Sequence, residues 1–280
     1  MLPETVKQMP WTDDFEVDHE ACTVRLRPTQ GDSSEPDAKK ASHLTSAFAQ
    51  VIDKAIEDKL FISVLNATHS EKFKILGAPH IEIERFAGDL FGIVARGAHL
   101  TVYTNTLEGM KIWVPRRSAD SFTFPNKLDT TVAGGVPSHQ SPFENVAQEA
   151  DEEASLPADL IKRDVHSAGV LTYIGLSKQG FVAPDVVYVY DLEVNGDVTP
   201  TPKDGEVKEF YLMSIEEVKA ALANDEFKTN SAVVMLDFFI RHGIITAEEE
   251  ENFVEIVTRM HRRLPFPVTP DQYLDRKGIS

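Results

Sequence analysis

At 280 residues, with 42% hydrophobic and 26% charged side chains, the chain has the composition of a soluble globular protein long enough for one large domain or two smaller ones. A formal net charge of −17, from 45 acidic against 28 basic residues, argues against nonspecific binding to nucleic acid or to an anionic membrane, and an anionic ligand would need a metal or local cations. The single cysteine, Cys22, leaves no internal disulfide and no thiolate metal framework; it reads as a small buried residue, and cytoplasmic residence is the expectation.

The first residues, MLPETVKQMPWTDDFEV, lack a basic stretch followed by an apolar one, and no apolar run approaches bilayer length, so neither secretion nor a membrane anchor is expected. Ala21 to Leu26 alternates as a strand, and Pro28 to Lys40 (PTQGDSSEPDAKK) reads as an exposed loop rich in turn residues. Leu44, Phe48, Val51, Ile52, Ala55 and Ile56 stand at helical spacing, which predicts an amphipathic helix over Leu44 to Leu60. Strands are predicted over Ile81 to Phe86, Leu90 to Val94 and Leu100 to Thr104, the last two joined through ARGAH as a hairpin or meander. Lys111 to Arg117 predicts another strand, and its terminal Arg116 and Arg117 are candidates to neutralise an anionic ligand. Leu128 to Ala133 predicts the strand that enters the most informative stretch.

That stretch, Gly134 to Leu156, reads GGVPSHQSPFENVAQEADEEASL. Ser141 as cap, Pro142 at the first helical position and Glu144 at the third predict a helix from Pro142 to about Ala154. Glu149, Glu152 and Glu153 then stand at i, i+3 and i+4 and share one face, while Val146, Ala147, Ala150 and Ala154 form a narrow apolar stripe. Nothing basic neighbours the three acids, and hard oxygen ligands in this number suit Mg2+ or Mn2+. The competing reading is a plain solvated acidic face. Against it stands the preceding loop, where Gly134, Gly135 and Pro137 let the backbone turn sharply beside the carboxylates. His139 lies in that loop and could touch a bound phosphate, the competing reading being an incidental loop histidine.

Beyond it, strands are predicted over Gly169 to Ile174 and Val186 to Leu192, separated by a Gly/Ser/Lys loop. Val207 to Met213 predicts a last strand, and Ser214 with Glu217 makes a second capping box that opens a helix to about Ala223. Ser231 to Arg241, stopped by Gly243, and Ala247 to Arg263 predict two more helices, and the proline-rich tail from Leu264 drapes over the surface. Strands with interspersed helices, not in strict alternation, predict an α+β chain built as an α/β/α sandwich on a mixed sheet.

The order glycine, capped helix and glutamate cluster resembles the Nudix box, the signature of hydrolases that cleave organic diphosphates. Gly134 falls on the first glycine of that pattern, Glu149, Glu152 and Glu153 on its metal-binding glutamates, and Leu156 on its final aliphatic position. Gln140 stands where the pattern has Glu, Gln148 where it has Arg, and Ser155 where it has a second Gly. A Gln140/Gln148 pair would replace a charged loop-to-helix tie by a neutral hydrogen bond. The longer phrases KIWVPRRS, FPNKLDTTVAGGVPS, SPFENVAQEADEEASLP, PDVVYVYDLEV and DGEVKEFYLMSIEEV, with FAGDLFGIVARGAHLTVY before them, resemble the Nudix hydrolases related to thiamine pyrophosphokinase. That resemblance implies a smaller α+β N-terminal domain over 1–99, a Nudix sandwich over 100–263 and a tail over 264–280. It also implies Mg2+- or Mn2+-assisted hydrolysis of thiamine diphosphate, or of its damaged oxo and oxy analogues, to the monophosphate plus phosphate. Glu149, Glu152 and Glu153 would hold the metal, and Glu149 or a later acid, Glu206 first and Glu209 second, would be general base. Arg116, Arg117, Gly134 and Gly135 would meet the diphosphate, and Trp113, Phe181 or Tyr188 could stack on a ring. The alternatives are a nucleoside diphosphate derivative of the ADP-ribose or dinucleotide type as substrate, and a non-catalytic module that binds a diphosphate. The partner is a small molecule, with no nucleic acid and no membrane. The oligomeric state stays open, a homodimer included.

Overall fold

The computed structural model describes residues 1–27, 37–266 and 268. They form two compact units: Met1–Ala95 with Ile174–Asp185 and Leu264–Ser280, so far as these are described, and Arg96–Tyr173 with Val186–Arg263. Among the described residues no helix is long and apolar enough to cross a membrane.

In the first unit, α1 (Pro3–Gln8) precedes the antiparallel pair β1 (Phe15–Asp18) and β2 (Thr23–Leu26); β2 falls where alternation placed a strand, and β1 had no such expectation. Helix α2 runs over Asp37–Glu57, so it starts well before Leu44. The predicted loop over Pro28 to Lys40 lies outside the described residues up to position 36, and positions 37–40 are helical. After α3 (Ile62–Leu65) come the paired strands β3 (Lys72–Ile75) and β4 (Ala78–Glu84). The core is aromatic: Val51, Ile52, Ala55, Leu65, Ile83 and Leu90 are buried, with Trp11, Phe15, Phe48 and Phe91 ring against ring. Leu90 to Val94 is not a strand. Gly88–Phe91 is a single helical turn, α4, closed by Gly92 in the left-handed region at φ 68°, a conformation glycine adopts without a Cβ penalty. Cys22 is exposed, not buried, in the tight β1–β2 turn at φ 53°.

The second unit is a mixed sheet between helices. Among its described residues six strands join: β5 (Ala95–Thr106), β6 (Gly109–Arg117), β7 (Val132–Gly135), β8 (His166–Leu176), β9 (Val182–Glu193) and β10 (Val207–Ser214). The order is β10-β6-β5-β9-β8, and β7 pairs antiparallel with the first half of β5, Gly97 opposite Gly135 and Leu100 opposite Val132. The expected hairpin across ARGAH is therefore one continuous strand, β5. Alternation sorts the side chains. Ala98, Leu100 and Val102 of β5 and Tyr190 and Leu192 of β9 meet Val146, Ala150 and Ala154 of α5 (Pro142–Ala154) and Ile161 of α6 (Ala158–Asp164). Ile112 and Val114 of β6 face the other way, onto Val218 of α7 (Ile215–Ala223) and Met235, Phe238 and Phe239 of α8 (Thr229–Arg241). The last helix, α9, spans only Phe253–Met260, because the like-charged run Glu248 to Glu251 forms turns where a longer helix was expected.

Candidate active site

Helix α5 starts and ends where its sequence predicts. Ser141 Oγ accepts the N–H of Glu144 at 3.2 Å and the Glu144 carboxylate accepts the N–H of Ser141 at 2.8 Å, which completes the capping box. The helix closes at Ser155, held in the left-handed region at φ 53°, with Leu156 N–H donating to Ala150 O at 2.9 Å. That conformation explains why a glycine suits this position. Serine bears the strain and returns one hydrogen bond, Oγ to Thr201 O at 3.0 Å.

Gly134 and Gly135 lie in strand β7, and neither has a positive φ, so they do not make the sharp turn expected of them. Gly134 serves close approach. A Cβ there would lie 2.6 Å from Cγ and 2.7 Å from Cδ of Glu149, so only glycine lets that side chain cross the strand. Glu153, one turn further on, is buried and accepts the N–H of Ala133 at 3.0 Å. Burial raises its pKa well above the usual carboxylate range, the Glu149 charge adds to that, the Ala133 N–H opposes it, and Asp129 and Glu206 add smaller repulsion. Glu152 is half-buried and accepts Gln148 Nε2 at 3.0 Å.

The loop-to-helix tie is neutral. Gln140 donates to Gln148 Oε1, and Asn145 Nδ2 lies 3.4 Å from Gln140 Oε1 and 3.3 Å from Glu149 Oε1. Asn145 is 2% exposed and its Oδ1 has no hydrogen-bond partner among the described residues. His139 is exposed.

The structure brings Glu149 and Glu153 together against β7 and places Glu206, an exposed residue, within electrostatic reach of Glu153. It does not gather the three box glutamates: among the described residues no three His, Cys, Asp or Glu side chains are grouped to hold a metal. By donor chemistry the set still fits a hard divalent cation. Every side-chain donor in it is a carboxylate oxygen, and Glu149, Asp129 and Glu206 each add repulsion at buried Glu153. Glu209 sits opposite Arg116 in the β10–β6 pairing, on the sheet edge, and Lys208 and Tyr211 are its neighbours.

The two arginines named from sequence are already engaged. Arg117 is buried, its Nη1 3.2 Å from Asp129 Oδ2 and its Nε 3.3 Å from the Thr123 carbonyl. Arg116 lies over the Tyr211 ring and donates to the Asn126 carbonyl at 2.9 Å, with Glu226 at 3.7 Å. Phe181 packs in the aromatic core of the first unit, and Trp113 packs beside the α5 face of the second.

Sequence reasoning missed Asp129. Its carboxylate takes Arg117, Lys228 at 3.4 Å, the Ser231 hydroxyl and the Thr130 N–H at 2.9 Å. Burial pushes its pKa up, but Lys228, Arg117 and Ser231 outweigh burial and hold it below the ordinary value. Beside it, His99 Nδ1 is 2.8 Å from Thr130 Oγ1; burial, reinforced by Lys228, pushes this imidazole down to about 3, with Asp129 acting the other way. Thr131 Oγ1 donates to Trp113 O at 2.6 Å and accepts the N–H of Val102 at 2.8 Å. These bonds fix the segment that delivers β7, and hence Gly134, to Glu149. No local signal marks them, because Lys228 and Ser231 lie about a hundred residues downstream of Asp129.

Residues 96–233 match the family described as the NUDIX domain. An uncharacterised protein of Saccharomyces cerevisiae is 41% identical over 201 residues, covering 68% of this chain and 59% of its own. Nudix hydrolase 20, chloroplastic, of Arabidopsis thaliana is 32% identical over 80% of this chain and 60% of its own length. Nudix hydrolase 24, chloroplastic, of the same plant is 33% identical over 75% and 57%. The chain thus spans less than two thirds of the length of each of these relatives.

Proposed function

We propose that the chain, whose residues 96–233 match the NUDIX domain, is a Nudix hydrolase: a divalent-metal-dependent hydrolase of an organic diphosphate, with thiamine diphosphate or its oxo and oxy analogues as substrate. The observation that carries the reading is the passage of Glu149 across Gly134, beside a buried Glu153 held on the Ala133 N–H. The thiamine assignment rests on the longer phrases that flank the box. Glu149, Glu152 and Glu153 would hold Mg2+ or Mn2+, which when bound neutralises phosphate oxygens and acidifies a water.

The chain's own residues do the rest. Glu153 stays fixed by β7, so its helix cannot rotate away from the strand. Glu149, adjacent to it, takes the proton of the attacking water; Glu206, whose charge reaches Glu153 through space, is the second claimant to that role. Water oxygen bonds to phosphorus, the anhydride P–O bond breaks, and the monophosphate and inorganic phosphate leave. The Gln140–Gln148 bond holds loop and helix in register without charge.

A panel of thiamine diphosphate, its oxo and oxy analogues, ADP-ribose and diadenosine tetraphosphate, assayed with Mg2+, tests the substrate. The highest kcat/KM is expected on a thiamine analogue; a preference for ADP-ribose or the dinucleotide would overturn the thiamine assignment.

A further inference from the structure

An acidic chain that handles a diphosphate needs a cation not already committed to the fold, and Arg116 and Arg117 are committed. Arg96, at the head of β5, is not. Its carbonyl accepts the N–H of Val136 at 2.9 Å, which sets the residue directly across from the loop that follows β7. It follows the alternation of Ala98 and Leu100, whose side chains pack on the α5 side of the sheet, the side from which Glu149 meets Gly134. Its guanidinium carbon lies 5.8 Å from the centroid of the Tyr188 ring. Its Nε is buried without a hydrogen-bond acceptor among the described residues. Tyr188 adjoins Tyr190, and Phe143, in the first turn of α5, lies 6.0 Å from the Tyr190 ring. An arginine stacked by its face keeps its N–H edge for a planar, two-point contact, and a buried donor left without an acceptor in the fold calls for one from outside.

We propose that Arg96, seated on Tyr188, is the residue that binds the diphosphate oxygens of the substrate beside the box. The assignment rests on the diphosphate reading above, but binding tests it separately from turnover. The experiment is calorimetric titration with methylenediphosphonate, a non-hydrolysable diphosphate, with and without Mg2+, on the full chain and on R96Q, R96K and Y188L. R96Q is expected to lose at least tenfold in affinity with an unchanged melting temperature, and Y188L a smaller amount. R96K is expected to lose at least threefold, because an ammonium cannot make the two-point contact. Should R96Q fail to fold, R96K decides. Wild-type affinity in the folded arginine variants, or no binding by the wild type, overturns the assignment. A wild type that binds the phosphonate and yet hydrolyses no diphosphate overturns the hydrolase reading and leaves Arg96 in place.

Discussion

Glu149 reaches β7 because position 134 has no side chain. Gly134→Ala would put a methyl group inside contact distance of Oε1, Cγ and Cδ of Glu149, so the carboxylate would have to move. The substitution is expected to cost about 1–3 kcal/mol of stability, as overpacking usually does. It should also lower kcat by at least about tenfold, the consequence of a misplaced reacting group. A crystal structure of the variant with Glu149 unmoved, and wild-type kinetics, would contradict it. Ser155 is the opposite case, a side chain where the backbone favours none. Ser155→Gly relieves a left-handed conformation worth roughly 1–2 kcal/mol and gives up one exposed hydrogen bond to Thr201. Urea unfolding is expected to show a gain of about 0.5–1 kcal/mol; a loss would mean that the Oγ–Thr201 bond outweighs the strain. Both positions could be singled out from sequence as box positions, but the reason for Gly134 could not, since it lies in a side chain fifteen residues away.

At the scale of elements, what was legible depended on whether the signal was local. Helix α5 declares itself through a cap, a proline and a reciprocal glutamate within four residues, and α7 does the same with Ser214 and Glu217. The neutral Gln140–Gln148 tie also follows from pairing two departures from one pattern. Leu90 to Val94 misled because four apolar residues around a glycine fit a strand or one helical turn equally well, and Gly92 decided for the turn. The last helix misled because apolar spacing continued into a run of four glutamates that cannot share a helix face cheaply. Glu149, Glu152 and Glu153 sit on one helix as expected. Two of them, Glu149 and Glu153, lie against β7, while Glu152 accepts from Gln148.

Across the whole second unit, the least legible feature is the buried Asp129 group, which joins the β6–β7 connection to α8 through Lys228 and Ser231. Its neighbour His99 gives the molecule a pH dependence of predictable sign. The folded imidazole titrates at about 3, whereas an unfolded one titrates near 6.5. The unfolded chain therefore binds the proton first, and this residue's contribution to stability is intact above about 6.5. It is lost as pH falls towards 3, at about 1.4 kcal/mol per pH unit within that window. His99→Gln is expected to flatten the acid limb of the stability curve, measured by urea unfolding between pH 7 and pH 5. An unchanged slope would place the acid sensitivity elsewhere.

The central claim is that the box carboxylates carry out diphosphate hydrolysis, and phosphate release from thiamine diphosphate with Mg2+ by the wild type and by Glu152→Gln tests it most directly. The wild type is expected to turn over, and the variant to fall on the order of 10²-fold or more in kcat with its melting temperature unchanged. Equal rates in the two proteins, or no release by the wild type from thiamine diphosphate or any other diphosphate, would contradict it.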